Sequence, residues 1–178
     1  MTLPREATPI EISAKVRGFC ESIACEEQPM FVAVQPTDGS VPGDSLGNVA
    51  RLVAQFGGGS MLGWSITERS RIDLRAELYA IWKTSTGELV DVTPRSDGAK
   101  QTLFLPDARQ TADGRGASVR VQPWAHWREI QDFLAAEDRL KKLRPIDPET
   151  EDASQHVRVQ AEWKRAVQAL EKRLVRAT

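Results

Sequence analysis

Residues 74–83 read LRAELYAIWK, and this stretch decides the fold class. Successive side chains of a β-strand point to opposite faces, so a strand buried on one face shows a period of two. One alternating set is apolar here and is predicted to face the core: Leu74, Ala76, Leu78, Ala80 and Trp82. The other set carries Glu77 and Tyr79, which we expect to face a cleft.

Other short runs along the chain also have the composition of strands. They are apolar or alternating and are bounded by turn signals: residues 30–34, 61–68, 89–92, 101–105 and 118–122. A turn at residues 84–87 allows the run after it to pair back on residues 74–83. The stretch 113–116, which reads DGRG, is predicted to be a loop. We therefore expect an antiparallel sheet of about five strands.

Two helices are expected on the N-terminal side of the long strand. Thr8 is placed as the N-cap of a helix over residues 8–25, because it opens a capping box. Asp44 or Ser45 caps a second helix, over residues 45–56, in which apolar residues recur at helical spacing. Three glycines follow it directly and are predicted to end it.

The chain beyond Pro123 is predicted to form two helices. Residues 144–148, which read RPIDP, break the first helix, and the second covers residues 150–176. We expect residues 1–123 to form an α+β core domain and residues 124–178 an appended helical pair within the same globular unit. The predicted fold is α+β, with the N-terminal helices packed on the sheet and a C-terminal helical hairpin.

The composition is that of an ordinary globular protein. Hydrophobic residues make up 40% and charged residues 28% of the 178 residues, which excludes a wholly disordered or fibrous chain. Lys and Arg number 24 against 25 Asp and Glu, so we expect neither a nucleic-acid partner nor binding to a membrane. The chain has no apolar run that could span a membrane and no signal-peptide pattern, so we expect a cytoplasmic protein.

No metal site, cofactor or disulfide is expected. Cys20 and Cys25 fall in a predicted helix, where residues five apart point about 140° away from each other. A bridge between them is therefore not expected. His126 and His156 are the only histidines, and these four residues lack the ligand spacing of a zinc site.

Residues 43–47 read GDSLG and match the nucleophile-elbow pattern GxSxG and the Gly-Asp-Ser-Leu block of the GDSL-type esterases. A serine before a helix exposes its hydroxyl group, and the helix N-terminus offers N–H groups to an oxyanion. The serine also needs a base, and His126 and His156 lie in contexts unlike those of the esterases. The simpler interpretation is that Ser45 begins a helix; the alternative is a serine hydrolase that uses one of these histidines.

Three longer blocks carry a second resemblance. They read AELYAIW at residues 76–82, GELVDVTP at 87–94 and LFLPD at 103–107. With them, the stretch 34–107 resembles a family of bacterial and phage proteins. In that family a cysteine opens a helix, a histidine lies on a following strand and an aspartate on the next. This order is similar to that of papain-like cysteine hydrolases of the NlpC and transglutaminase-like types.

This chain departs from that order at two of the three positions. The cysteine position falls on Ser45 and the histidine position on Tyr79, while the aspartate is present as Asp91. A tyrosine has a pKa near 10 and is a poor general base at neutral pH. The resemblance therefore implies a relative that keeps the fold and has lost the chemistry, and we expect a pseudoenzyme.

The function expected from the resemblance is the binding of another protein or a peptide, in a phage or mobile-element setting. The cleft would be lined by the residues at these three positions and by Asn48, Trp64 and Glu77. A further hypothesis is an interaction module that acts through tryptophans of the C-terminal helices: Trp124, Trp127 and Trp163. The simpler interpretation of these tryptophans is core packing.

Overall fold

The computed structural model describes residues 3–112, 119–143 and 152–177. The chain divides into two compact units. A sheet unit contains Glu6–Arg69 and Asp73–Gln122, and a helical unit contains Ser70–Ile72 with the described residues before Glu6 and after Gln122. The predicted loop at 113–116 and the predicted break at 144–148 lie outside the described residues.

The described residues form four helices and six strands. The helices are α1 (Ala14–Ile23), α2 (Ser45–Phe56), α3 (Arg128–Lys141) and α4 (Asp152–Arg176). The strands are β1 (Met30–Ala33), β2 (Gly59–Arg69), β3 (Asp73–Lys83), β4 (Leu89–Val90), β5 (Gln101–Pro106) and β6 (Arg120–Pro123). The predicted α+β class is confirmed. None of the described helices is both long enough and apolar enough to cross a membrane.

The sheet is built on the β2–β3 hairpin, whose two strands have 11 residues each. The strand order is β1-β5-β2-β3-β4, and β6 also pairs with β3. The four pairs along this order are antiparallel. In the hairpin, Gly63 lies opposite Tyr79 and Trp64 lies opposite Leu78. This register sets which side chains share a face of the sheet.

The first and last strands of this order are joined through Asp91. The Asp91 N–H donates to the carbonyl oxygen of Ala33 at 2.9 Å, and the Gln35 N–H donates to the Asp91 carbonyl oxygen at 2.8 Å. Val34 and Asp91 form a parallel bridge. Because Asp91 directly follows β4, these bonds close the sheet on itself.

Closure of the sheet corrects the expectation of an open cleft beside β3. One face of the sheet packs against α2 in a core of Val49, Leu52, Ala80, Val90 and Val92. The other face encloses a second core of Val32, Tyr79, Ile81 and Phe104. Most of β3 is therefore buried on both faces, although Glu77 is exposed. Leu78 and Trp82, which were expected in the core, are only half-buried.

The first helix starts later than predicted. Its N-cap is Ser13, whose Oγ accepts the Val16 N–H at 3.3 Å. The expected cap, Thr8, is instead held in an extended segment by Asp97, so a long-range contact overrides the local capping signal. The second helix agrees with prediction, with Asp44 as N-cap and Gly57 at φ 74° as C-cap.

The helical unit is built on α3 and α4, which pack against each other around an apolar core. That core contains Ile72, Ile130, Phe133, Leu170 and Leu174. Arg139 Nη2 and Glu162 Oε1 form an ion pair between the two helices at 2.6 Å. The C-terminal helical pair of the prediction is thus present, and the tip of the β2–β3 hairpin belongs to the same unit.

Candidate functional site

Asp91 is the centre of a buried polar network inside the closed sheet. Its side chain is fully buried and accepts hydrogen bonds from three neighbours. The Tyr79 hydroxyl donates to both carboxylate oxygens at 3.1 Å, and the Thr93 N–H donates to Oδ1 at 2.9 Å. The Thr102 hydroxyl donates to Oδ2. These contacts link β3 and β5 to the residues that follow β4.

Burial changes the proton affinity of both members of the Tyr79–Asp91 pair. It raises the pKa of Asp91, and the hydrogen bonds from Thr102, Thr93 and Tyr79 offset only part of that effect. Burial, together with the negative charge of Asp91, raises the pKa of Tyr79 to about 12. The phenol therefore stays protonated at neutral pH and cannot accept a proton from a serine hydroxyl.

Ser45 lies at the first position of α2 and is buried. Its Oγ accepts the backbone N–H of Ala80 at 3.2 Å. Ala80 packs on the α2 side of the sheet, whereas the side chain of Tyr79 lies in the enclosed core. The structure thus joins Tyr79 to Asp91, and it joins Ser45 to the backbone next to Tyr79.

Asn48 ties this helix to two loops. Its side-chain amide accepts the Val41 N–H at 2.8 Å and donates to the Val41 carbonyl oxygen at 2.8 Å. It also donates to the Thr93 hydroxyl oxygen at 3.1 Å. Because the backbone N–H of Thr93 donates to Asp91, the amide of Asn48 belongs to the same network as the buried carboxyl group.

Trp64 is buried beside a second carboxylate, Asp107. The indole N–H of Trp64 donates to Asp107 Oδ2 at 3.0 Å, and Arg109 Nε and Gln110 Nε2 each donate to this carboxylate at 2.8 Å. Burial opposes ionisation of Asp107, but these donors outweigh it and hold its pKa well below the usual range. Next to Trp64, a Cβ at Gly63 would collide with the Leu105 carbonyl oxygen.

Glu77 is exposed, so it is accessible, whereas the other five residues of the expected cleft are buried. The three C-terminal tryptophans of the prediction and both histidines lie in the helical unit. Trp127 packs against the helical core, and the Arg173 guanidinium lies 4.5 Å from its ring centre. Trp124 donates its backbone N–H to the Ile72 carbonyl oxygen at 2.7 Å. The packing of Trp127 on the helical core fits the simpler interpretation, whereas the bond from Trp124 involves only its backbone.

The histidines invoked for a serine hydrolase are placed by two different elements. His126 is exposed in the segment between β6 and α3, and His156 is half-buried on α4. Ser45 belongs to the sheet unit. The hydrolase hypothesis therefore requires a residue from each of the two units.

A surface cavity lies where α1 ends, and sequence reasoning did not find it. Its volume is about 320 Å³, and it is lined by residues 24–27 and 107–109. Arg109 donates to the Ile23 carbonyl oxygen at 2.7 Å, which fixes one wall. Cys25 is exposed here, while burial raises the pKa of the Cys20 thiol to about 11. The proximity of residues 24–27 to the LFLPD block had no local sequence signal.

Sequence reasoning also missed a polar cluster around Arg95. Its guanidinium donates to the hydroxyl oxygens of Ser65 and Thr8, at 3.1 Å each, and pairs with Asp97 at 3.3 Å. Burial opposes ionisation of Asp97, but the bonds from Arg95 and from the N–H groups of Ala99 and Thr8 lower its pKa to about 2. Within the described residues, no group of three or more His, Cys, Asp or Glu side chains is placed to hold a metal ion.

Comparison with known proteins adds no relative to this description. No protein-family model, no curated protein and no solved structure matches the chain.

Proposed function

We propose that the chain is a catalytically silent relative of the papain-like cysteine hydrolases and acts by binding another protein or a peptide. The observation that carries this proposal is the hydrogen bond from Tyr79 to Asp91. At the position where the resemblance places a histidine, the chain has a phenol that donates to the carboxylate and stays protonated. No base is therefore supplied from this position.

The state of Ser45 supports the same conclusion. Activation of a serine requires a base that accepts the hydroxyl proton and an open approach for the substrate. Ser45 is 5% exposed, and its oxygen already accepts the N–H of Ala80. Both features favour a structural role in which the serine satisfies a backbone donor of β3.

The hydrogen bonds made by the other expected site residues also favour binding over catalysis. Asn48, Trp64 and Asp91 direct their polar atoms to partners within the sheet unit. Such a network stabilises a rigid scaffold, and binding proteins present recognition residues on rigid scaffolds. In this proposal the partner contacts exposed groups of the scaffold, of which Glu77 is one.

The test is labelling of the full-length protein with a fluorophosphonate probe, which reacts with activated serines. We expect no labelling of Ser45, and the Ser45→Ala variant provides the background signal. Labelling that disappears in Ser45→Ala and also in His126→Ala or His156→Ala would overturn the proposal and establish the serine hydrolase.

A further inference from the structure

The segment Glu6–Thr8 lies against β2 as an added strand. The Ala7 N–H donates to the Glu68 carbonyl oxygen at 3.0 Å, and the Glu68 N–H donates to the Ala7 carbonyl oxygen at 2.8 Å. The strand β5 pairs only with Gly63–Ile66 of β2, so it leaves this part of the edge to the segment. Main-chain bonds of this kind are how an extended peptide adds to a sheet.

Glu6 is held by two side chains of the hairpin. The Thr67 hydroxyl donates to Glu6 Oε1 at 2.6 Å, and Arg75 Nε lies 3.9 Å from Glu6 Oε2. Arg75 is itself buried and fixed by Asp73 at 2.8 Å. The Thr67 hydroxyl group and the nearby positive charge of Arg75, whose Nε–H is donated to Asp73, favour a carboxylate at the first position of the segment.

Thr8 is held by the Arg95 cluster. Its N–H and its hydroxyl group donate to Asp97 Oδ2 at 2.9 and 3.1 Å, and Arg95 Nη2 donates to its hydroxyl oxygen at 3.1 Å. The hydroxyl group therefore both donates and accepts from a position close to the main chain, which a Ser or Thr side chain can do. Ala7, between the two anchors, is exposed, so the middle position imposes no side chain.

We propose that this edge of β2, with Thr67, Arg75, Arg95 and Asp97, is the docking site for an extended peptide of a partner protein. The recognised sequence is an acidic residue, any residue, then Thr or Ser. Glu6–Thr8 occupies the site in cis and competes with the partner. This inference rests on the proposed binding function and names the partner class and the site.

The cis segment sets how the competition is measured. A segment tethered by a short linker acts at an effective concentration in the millimolar range. It therefore outcompetes a free peptide of the same sequence that is supplied at a lower concentration. Variants that release Glu6–Thr8 without touching the site should therefore strengthen binding of the same sequence supplied in trans. A variant of the site itself should weaken that binding.

The probe is a fluorescein-labelled peptide of residues 4–12, PREATPIEI, and the readout is fluorescence anisotropy. The acceptor is the full-length chain with Ala7→Pro and Thr8→Val, which lacks the N–H donor to Glu68 and the hydroxyl group. We expect the peptide to bind this variant at least about tenfold more tightly than the wild-type chain. Adding Asp97→Asn to the acceptor, or Thr8→Val to the peptide, should reverse the gain.

A milder acceptor, Thr8→Val alone, keeps the backbone pair and serves if the double variant loses its cooperative melt. Equal peptide binding by wild type and variant, or no binding to a variant that melts cooperatively, would overturn the inference. A variant that dimerises without peptide would also overturn it, because a second copy would then fill the site. None of these results depends on Ser45 labelling, so failure here and failure of the proposed function are distinguishable.

Discussion

The hydroxyl oxygen of Tyr79 lies 3.1 Å from each carboxylate oxygen of Asp91, and both residues are buried in the closed sheet. The carboxyl group also accepts a hydrogen bond from the Thr102 hydroxyl group of β5, and the Asp91 N–H donates to the Ala33 carbonyl oxygen of β1. One residue therefore connects side chains of two strands and the main chain of a third. Asp91 therefore contributes to the stability of the fold. Because burial raises its pKa, this contribution should change with pH and can be measured.

Asp91 should contribute to the free energy of unfolding by an amount that decreases as the pH rises, and replacing it with Asn should remove this contribution. Burial raises the pKa of Asp91, so the folded state holds its proton more strongly than the unfolded state. Wild-type stability from this group is full below the ordinary pKa of about 3.9 and declines as the pH rises through the higher folded value. The advantage of wild type over Asp91→Asn, about 1–3 kcal/mol at low pH, should therefore shrink toward neutral pH.

The measurement for Asp91 is urea denaturation of both proteins from about pH 3 to about pH 8. Asp38→Asn, at an exposed aspartate, is the matched control for the loss of one carboxylate. An advantage of wild type that grows with pH would contradict the prediction.

Replacing Asp107 with Asn should give the opposite pH dependence. The donors Arg109, Trp64 and Gln110 outweigh the effect of burial and hold the pKa of Asp107 below its usual range. The stability from this carboxylate is present above the unfolded pKa and is lost as the pH falls below about 4. We expect a loss of about 1–3 kcal/mol at neutral pH, most of it from the buried bond to Trp64, because Arg109 is exposed.

The same urea titration tests the Asp107 prediction, with Asp132→Asn as the control. Asp132 forms an exposed ion pair with Arg128 at 3.6 Å, and such pairs contribute little. A constant difference between wild type and Asp107→Asn from neutral pH down to about pH 3 would contradict the predicted sign.

Tyr79 should ionise about two pH units above an ordinary tyrosine, since its pKa is raised from 10.0 to about 12. It is the only tyrosine of the chain, so tyrosinate absorbance after a rapid pH jump reports this residue alone. Stability from the neutral phenol is lost as the pH rises between these two values. Asp91→Asn should lower the pKa of Tyr79, because it removes the nearby negative charge. Ionisation near pH 10 in the folded protein would be the contrary result.

Replacing Ser45 with Ala should leave the Ala80 N–H without its acceptor in a buried position. An unsatisfied buried donor costs about 1–3 kcal/mol, and we expect a loss of this size in urea denaturation together with faster exchange of the Ala80 amide hydrogen. Ser85→Ala, in the exposed turn before β4, should change stability by less than about 0.5 kcal/mol. Equal effects of the two substitutions would show that the bond to Ala80 contributes nothing.

The strands were predictable because their signals are local. The alternation over residues 74–83 identified β3, and the turn that follows it placed β4 as its partner. The start of α1 was not predictable, since the capping signal at Thr8 competes with a bond to Asp97 from a distant loop. A pattern within the first residues cannot report that competitor.

The candidate site was predictable only in part. The resemblance placed Tyr79 and Asp91 in one site, and the structure joins them by a hydrogen bond. It gave no sign that the face of β3 with Tyr79 is enclosed, because closure depends on backbone bonds between Asp91 and β1. The roles of Arg95 and Asp107 were missed because Ser65, which binds Arg95, and Trp64, which binds Asp107, lie far away in the sequence.

Closure of the sheet through Asp91 also sets an order of folding events. The β2–β3 hairpin joins neighbouring residues and pays little loop entropy, whereas the bonds of Asp91 to Ala33 and Gln35 join distant parts of the chain and must form late. Until these bonds form, β1 exposes unpaired N–H and C=O groups along the edge that faces Asp91. Such an edge can pair with the same edge of other partly folded molecules. A substitution of Asp91 that destabilises closure of the sheet should therefore promote aggregation during refolding.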